Sequence, residues 1–147
     1  MAKDQMQTAP PPIEMIAHMY QLLELQASES IPEEGLEAFN FNYNPMISTV
    51  AEENQSDNKL FRVKLTVASD ESEDVHPYSF RIEVMGYFRM LDDNTDKWNG
   101  HIHILAPSML YGAVREFLFG LTQRGPYPGV YLPTISFIPI ESTEKKT

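Results

Sequence analysis

The sequence contains no cysteine, which excludes disulfide scaffolds and zinc sites built from thiolates. A chain without cysteine also fits a reducing compartment. No apolar run approaches the ~20 residues of a membrane-spanning helix, and residues 1–5 lead into no apolar run, so we expect no signal peptide. These absences predict a cytoplasmic protein.

Basic residues are scarce, with 11 Lys and Arg against 21 Asp and Glu in 147 residues and a net charge of −10. Phosphate backbones and anionic membrane surfaces would repel such a chain. Basic or unfolded polypeptides suit an acidic surface better. We therefore expect polypeptide partners, no nucleic acid and no membrane insertion.

Catalytic motifs are also missing, because the sequence has no Gly-x-Ser-x-Gly elbow, phosphate-binding glycine loop or cysteine nucleophile. His101 and His103 could present two imidazoles to a metal, but the acidic turns would have to supply the other ligands. Two exposed loop histidines are the simpler interpretation. We predict no catalytic residue, no metal and no cofactor, and hence no enzyme.

Hydrophobic residues make up 42% of the chain, enough for the core of one domain. The prolines at positions 10–12 end a segment that we interpret as a flexible arm, residues 1–12. Residues 13–140 are interpreted as a single domain, and residues 141–147 as a short polar tail.

Alternating apolar residues in 60–68 and 78–84 predict two strands of an antiparallel hairpin, joined by an acidic turn at 69–74. Residues 39–43 alternate aromatic and polar side chains, which is typical of a strand with one buried face, and residues 46–53 continue as a strand. Residues 29–37 are a polar connection.

Residues 13–27 fit two patterns. The apolar positions 16, 19, 20 and 23 have helical spacing, whereas positions 20–22 and 23–27 alternate like a strand. The residues alone slightly favour a helix. Residues 91–105 are interpreted as a loop.

Residues 106–125 predict a helix. Pro107 and Ser108 suit its start, and Gly125, in a left-handed conformation, suits its end. Its apolar stripe is formed by Leu110, Ala113, Val114, Phe117, Leu118 and Leu121. The prolines at positions 126, 128 and 133 then exclude a helix, so an extended arm carrying several aromatic residues follows.

The motifs of this region stand in an order that resembles the SecB export-chaperone family. They are Ala106-Pro107-Ser108, Leu110-Tyr111, Val114-Arg115-Glu116, Gln123-Arg124-Gly125, Tyr127-Pro128, Leu132-Pro133 and Ile135-Ser136-Phe137. Tyr43-Asn44-Pro45 and Gly86-Tyr87-Phe88 match two earlier family motifs.

The resemblance implies an α+β fold, with a four-stranded antiparallel sheet and a long C-terminal helix packed on one face. It makes residues 13–27 the first strand and implies a homotetramer, a dimer of dimers. The implied function is that of an ATP-independent holdase, which binds unfolded polypeptides or preproteins for export. An adaptor dedicated to one partner, such as an antitoxin, or a non-chaperone interaction module is the alternative.

Aromatic residues outside the helix either cover the core or line a groove for extended apolar polypeptide, to which aromatic rings offer large contact areas. The predicted groove residues are Tyr43, Trp98, Tyr127, Tyr131, Leu132 and Phe137. The predicted oligomer interface is the helix surface that carries Leu110, Val114, Phe117 and Leu121.

Three features depart from the family. Pro139 interrupts residues 135–140, where the family continues towards a second helix, so we expect that helix to be missing or replaced by a short strand. Arg81 stands near the acidic residue at which the family docks the SecA motor, and the tail 143–147 is short. The missing helix would leave the groove more open, and the other two departures argue against SecA as a partner.

Overall fold

The computed structural model, which describes residues 6–71 and 75–138, contains a four-stranded antiparallel sheet. Its strands are β1 (Ile13–Ala27), β2 (Met46–Glu53), β3 (Leu60–Ala68) and β4 (Tyr78–Met90). Their spatial order is β1-β4-β3-β2, so β4 and β3 are the inner strands and β1 and β2 are the edge strands. The predicted α+β fold and the predicted hairpin are confirmed.

Residues 13–27 form a strand, as the resemblance implied, and not the helix that their spacing slightly favoured. β1 pairs with β4 along its whole length, from Ile13 opposite Met90 to Ala27 opposite Tyr78. Two register shifts, at Met15/Ala17 and Tyr20/Leu22, interrupt the pairing. Because each bulge moves the following side chains to the opposite face, the strand loses its simple alternation and mimics helical spacing.

Helical structure begins earlier than predicted, within the presumed loop. A 3₁₀ turn (Thr95–Lys97), the short α1 (Trp98–Gly100) and a π-helical turn (His101–Leu105) lead directly into α2 (Ala106–Thr122). Asn94 caps the start by accepting a hydrogen bond from the Asp96 amide at 3.1 Å. The widened π-helical turn precedes Pro107, where the proline ring would otherwise crowd a carbonyl of the preceding turn.

Ser108 is therefore not the helix cap. Its hydroxyl donates to the Ile104 carbonyl at 2.6 Å, one turn back along the helix. The helical stretch Thr95–Thr122 is long and apolar enough to cross a membrane. This is weak evidence for a membrane span, because the core helix of a soluble protein meets the same criteria. One face of this stretch, with Leu110, Val114 and Leu118, is buried in the core.

The core lies between α2 and one face of the sheet, with Leu110, Val114 and Leu118 fully buried. These side chains pack with the inward residues of β3 and β4, such as Leu65 and Val84. Gly86 permits this close approach, because a Cβ at this position would lie 2.7 Å from Leu110 Cδ2. The other face of the sheet carries the polar residues of β3 and β4.

Two local predictions were wrong. Residues 39–43 are not a strand, and Phe41 is exposed, although the alternation placed it on the same buried face as Phe39 and Tyr43, which are buried. Gly125 does not have a positive φ; within the described residues only Gly35 does, at 103°. Gly125 is required for space instead, because a Cβ there would collide with the Tyr78 hydroxyl.

Candidate functional site

The arm of residues 126–138 has no regular secondary structure, and it runs back along α2. Side chains of α2 bind its backbone: Thr122 Oγ1 accepts from the Val130 amide at 2.7 Å, and Arg115 Nε donates to the Leu132 carbonyl at 3.0 Å. Tyr111 donates to the Pro133 carbonyl at 2.6 Å. These bonds replace the strand partner that the arm lacks and fix its position.

The Tyr78 hydroxyl joins the start of the arm to the helix end. It donates to the Thr122 carbonyl at 3.1 Å and accepts from the Tyr127 amide at 3.2 Å. The Tyr127 hydroxyl donates in turn to the Ser28 carbonyl at 2.9 Å, just beyond β1. The arm is therefore bound to both the helix and the sheet.

Two predicted groove residues lie in the core and must be removed from the groove. Leu132 is 1% exposed and Tyr43 is 6% exposed. Tyr43 stacks on His76 with ring centroids 4.4 Å apart, and its hydroxyl accepts from the Tyr78 amide. Burial raises the pKa of Tyr43 to about 12. The sequence could not distinguish them from exposed residues, because apolar and aromatic types serve both purposes.

The other four predicted residues remain partly accessible. Tyr127, Tyr131 and Phe137 lie on the arm, and Trp98 lies in α1. They lie at different points along the helix instead of converging on one pocket. Near the start of the helical stretch, the Trp98 indole donates to the Asp92 carbonyl at 2.6 Å. The Phe137 ring packs edge-on against the Tyr111 ring, with centroids 6.2 Å apart. Their part in binding stays a prediction.

Tyr131 is the most prominent of the four, since it is 69% exposed. Its ring packs against Phe119 with centroids 5.5 Å apart, and the Arg115 guanidinium lies 5.3 Å from the ring centroid. The backbone on either side is held by Thr122 and Arg115. An aromatic ring fixed on the surface in this way can bind an apolar side chain at little entropic cost.

Sequence reasoning missed the exposed edge of the sheet at β1. Four of its apolar side chains are 39–50% exposed, and we call these the β1 edge: Ile16, Met19, Leu23 and Leu25. Tyr20, on the same strand, stacks on Phe117 of α2 at 4.6 Å. The dense apolar composition of residues 16–25 was the available signal, because so many apolar residues exceed what one buried face needs.

Half of the predicted oligomer interface is also reassigned. Leu110 and Val114 are fully buried against the chain's own sheet, so neither can contact another subunit. Phe117 and Leu121 remain partly exposed. The helix stripe was wide enough for two surfaces, and only the packing decides which residues face inward.

The two histidines are not exposed loop residues, since both are half-buried in the π-helical turn. His101 Nε2 lies 2.9 Å from Asp92 Oδ2. This hydrogen bond, with a second from the Asn94 amide, holds the pKa of Asp92 below its usual range. Among residues 6–71 and 75–138, no three His, Cys, Asp or Glu side chains are grouped to hold a metal.

Grooves also occur on the polar face of the sheet. One of about 790 Å³ is lined by residues of all four strands, among them Ile16, Arg62 and Tyr87. Arg62 is paired with Glu52, Lys64 with Glu83 at 3.2 Å, and Arg81 also with Glu83 at 3.2 Å. The acidic and basic side chains of this face are therefore paired with one another, and the face is not strongly acidic.

Known proteins resemble this chain in sequence and in fold. The family model described as preprotein translocase subunit SecB matches residues 30–146. A search of curated proteins finds no match. A SecB-like chaperone of Mycobacterium tuberculosis, solved with a ChAD peptide from the HigA1 antitoxin, superposes with a TM-score of 0.63 at 14% identity, covering 84% of this chain and 91% of that one.

A protein of unknown function from Streptococcus agalactiae has a TM-score of 0.42 at 13% identity, covering 86% of this chain and 100% of that one. The likeness to the M. tuberculosis protein, at 14% identity, shows the fold.

Proposed function

From the premise that this chain belongs to the SecB family, we propose that it is an ATP-independent holdase. It binds unfolded polypeptides or preproteins in the cytoplasm and prevents their aggregation. The family is not one of enzymes, and no chemistry is required: a long client makes several weak apolar contacts whose avidity adds up.

The observation that carries this proposal is the fixed, exposed aromatic residue of the arm. Tyr131 is 69% exposed, yet its ring and its backbone are both held by α2. An aromatic ring that is held in place on the surface offers an apolar contact with little entropic cost on binding. Side chains of varied shape can pack on an aromatic ring, which suits a chaperone with many clients.

Assembly into a dimer or a dimer of dimers is part of the proposal. The β1 edge leaves both apolar side chains and one row of backbone groups uncovered, and an exposed apolar edge strand is an aggregation hazard unless it is paired. Phe117 lies beside it through its stacking on Tyr20. A second copy would cover both.

The test of assembly is Phe117→Asp, measured by light scattering. A buried unpaired carboxylate costs several kcal/mol, so the folded variant should have a smaller mass than the wild type. Glu116→Asp, on the exposed side of α2, is the control and should keep the wild-type mass. An unchanged mass for a folded Phe117→Asp protein would contradict the assembly.

A dedicated adaptor is the second candidate, favoured by one observation. The M. tuberculosis protein of similar fold was solved with a peptide from an antitoxin. A general holdase should suppress the aggregation of several unrelated denatured proteins, whereas an adaptor should protect one. Light scattering of chemically denatured model proteins, with and without the chaperone, separates the two; protection of none would reject the holdase.

The surface charges do not favour a link to export through the SecA motor. Arg81 and the paired charges around it give the polar face of the sheet no dominant negative charge. Binding of purified SecA to immobilised protein would test the link directly.

A further inference from the structure

The arm is held unevenly along its length, and the change occurs at Pro133. Up to this residue, α2 binds the arm backbone through the side chains of Thr122, Arg115 and Tyr111. Beyond it, within the part of the chain that the structure describes, residues 134–138 make no hydrogen bond. We call residues 134–138 the flap.

Apolar contacts alone hold the flap against the protein. Ile135 and Phe137 are partly buried and pack against the core. The residues on either side of them are exposed, and Ile138 is 79% exposed. A segment with few buried contacts and no backbone hydrogen bonds opens at low cost, while the rest of the fold stays intact. The flap is therefore the part of the arm that can leave the core most easily.

The flap covers an aromatic ring of α2. Phe137 packs edge-on against Tyr111, whose side chain is only 4% exposed. The Tyr111 hydroxyl is bound to the Pro133 carbonyl, and its backbone belongs to α2, so this ring keeps its place when the flap departs. An aromatic ring held on a rigid element binds apolar side chains at little entropic cost. Opening of the flap thus exposes a binding surface that the closed protein conceals.

The closed flap has the form of a bound extended peptide. Its alternate side chains, Ile135 and Phe137, are turned towards the protein, and those between them are turned towards solvent. An extended segment of an unfolded client presents its side chains with the same period of two. The flap and such a segment would therefore compete for the same surface.

We propose that the flap is an autoinhibitory segment, which a client must displace before one of its apolar side chains can bind on Tyr111. The proposal rests on the proposed holdase function and adds a means of its regulation. Phe137, which the sequence places in the groove lining, fills the groove in the closed state instead. A site that is open in about a tenth of the molecules binds with about a tenth of its intrinsic affinity. The flap thus raises the intrinsic affinity that a segment needs to be captured.

The first test changes the two inward side chains of the flap. Ile135→Ser/Phe137→Ser should strengthen client binding about three- to tenfold, because the open fraction rises towards one. Thr134→Ala/Ser136→Ala, on the outward side of the flap, is the matched control and should bind as the wild type does. The probe is fluorescently labelled α-lactalbumin, kept unfolded by reduction and carboxymethylation, and anisotropy titration gives the dissociation constants. Far-ultraviolet circular dichroism should be unchanged in both variants.

The second test closes the flap covalently. The chain has no cysteine of its own, so Tyr111→Cys/Phe137→Cys introduces the only two thiols, at positions whose side chains are in contact. Dibromobimane bridges two neighbouring thiols, whereas monobromobimane labels each thiol without bridging them. The bridged protein should bind the same client at least about threefold more weakly than the protein that is labelled without a bridge.

The sign of the first change decides between two roles of Phe137. Weaker client binding by Ile135→Ser/Phe137→Ser would identify these residues as client contacts and overturn the flap. Unchanged binding, or equal binding by the bridged and unbridged proteins, would overturn it as well. Client binding that is the same in all these proteins rejects the flap and keeps the holdase, whereas the absence of client binding in every one of them rejects both.

Discussion

Two extended segments border α2, the strand β1 on one side and the arm on the other, and they cover their apolar residues in different ways. β1 pairs with β4 from Ile13 to Ala27 but leaves Leu23 49% exposed. The arm has no strand partner, yet Leu132 is 1% exposed. Backbone pairing and burial are thus independent in this fold.

The difference follows from what each segment contacts. Side chains of α2 bind the arm at Val130, Leu132 and Pro133, and so draw the arm over the core. β1 reaches the helix mainly through the stacking of Tyr20 on Phe117. The arm therefore covers the core of its own chain, whereas the exposed side chains of β1 are the surface that the proposed second copy would cover.

The largest expected effect is the difference in stability between alanine variants of Leu132, on the arm, and Leu23, on β1. Leu132→Ala should lower the free energy of unfolding by about 2–5 kcal/mol, because it leaves a cavity in the core. Leu23→Ala should lower it by about 0.5 kcal/mol or less in dilute protein, because the side chain is half solvated. Urea denaturation followed by circular dichroism measures both. Equal losses of unfolding free energy in the two variants would contradict the difference in burial between the arm and β1.

The junction between helix and arm is the next test. Gly125→Val should destabilise the protein by about 1–3 kcal/mol, because the new side chain collides with the Tyr78 hydroxyl that binds the arm. Gly112→Ala is the matched change: its Cβ meets nothing within 4 Å, and alanine should stabilise the helix by up to about 1 kcal/mol. Thermal melts of the two variants should therefore shift in opposite directions.

Exposed aromatic residues on the arm provide a test of binding without loss of stability. Tyr131→Ser should weaken the capture of an unfolded, fluorescently labelled client by about 1–2 kcal/mol. Raising the ionic strength from about 0.1 M to about 1 M should have little effect, because the contact is apolar. Met46→Ser, at a 56% exposed position on β2, is the control and should bind normally. Tyr127 is less suitable, since its hydroxyl also supports the fold.

The smallest effect is expected at the junction before α1, which belongs to neither segment. Hydrogen bonds from His101 and Asn94 lower the pKa of Asp92 in the folded state. Its stabilising contribution is complete above the unfolded value of about 3.9 and is lost as the pH falls through the folded value. Between about pH 4 and pH 2, the melting temperature of the wild type should therefore fall further than that of Asp92→Asn. Parallel curves for the two proteins would show that the contacts of Asp92 do not stabilise the fold.

Local patterns were sufficient wherever one side of an element was buried and the other was not. Residues 60–68 and 78–84 alternate, and they form β3 and part of β4; residues 110–118 have helical spacing, and they lie in α2. The prolines after Gly125 excluded a helix and left an extended arm. These features depend on periodicity and backbone chemistry, which the sequence alone contains.

Only the tertiary structure decided the face that each remaining residue occupies. Bulges gave β1 the spacing of a helix, and helical turns continued through the presumed loop before Pro107. Leu132 and Tyr131 are neighbours with similar binding potential, but hydrogen bonds from α2 place one in the core and the other in solvent. Residue type fixes what a side chain can do, whereas contacts between distant segments determine whether it is exposed to do it, and those contacts have no local signature.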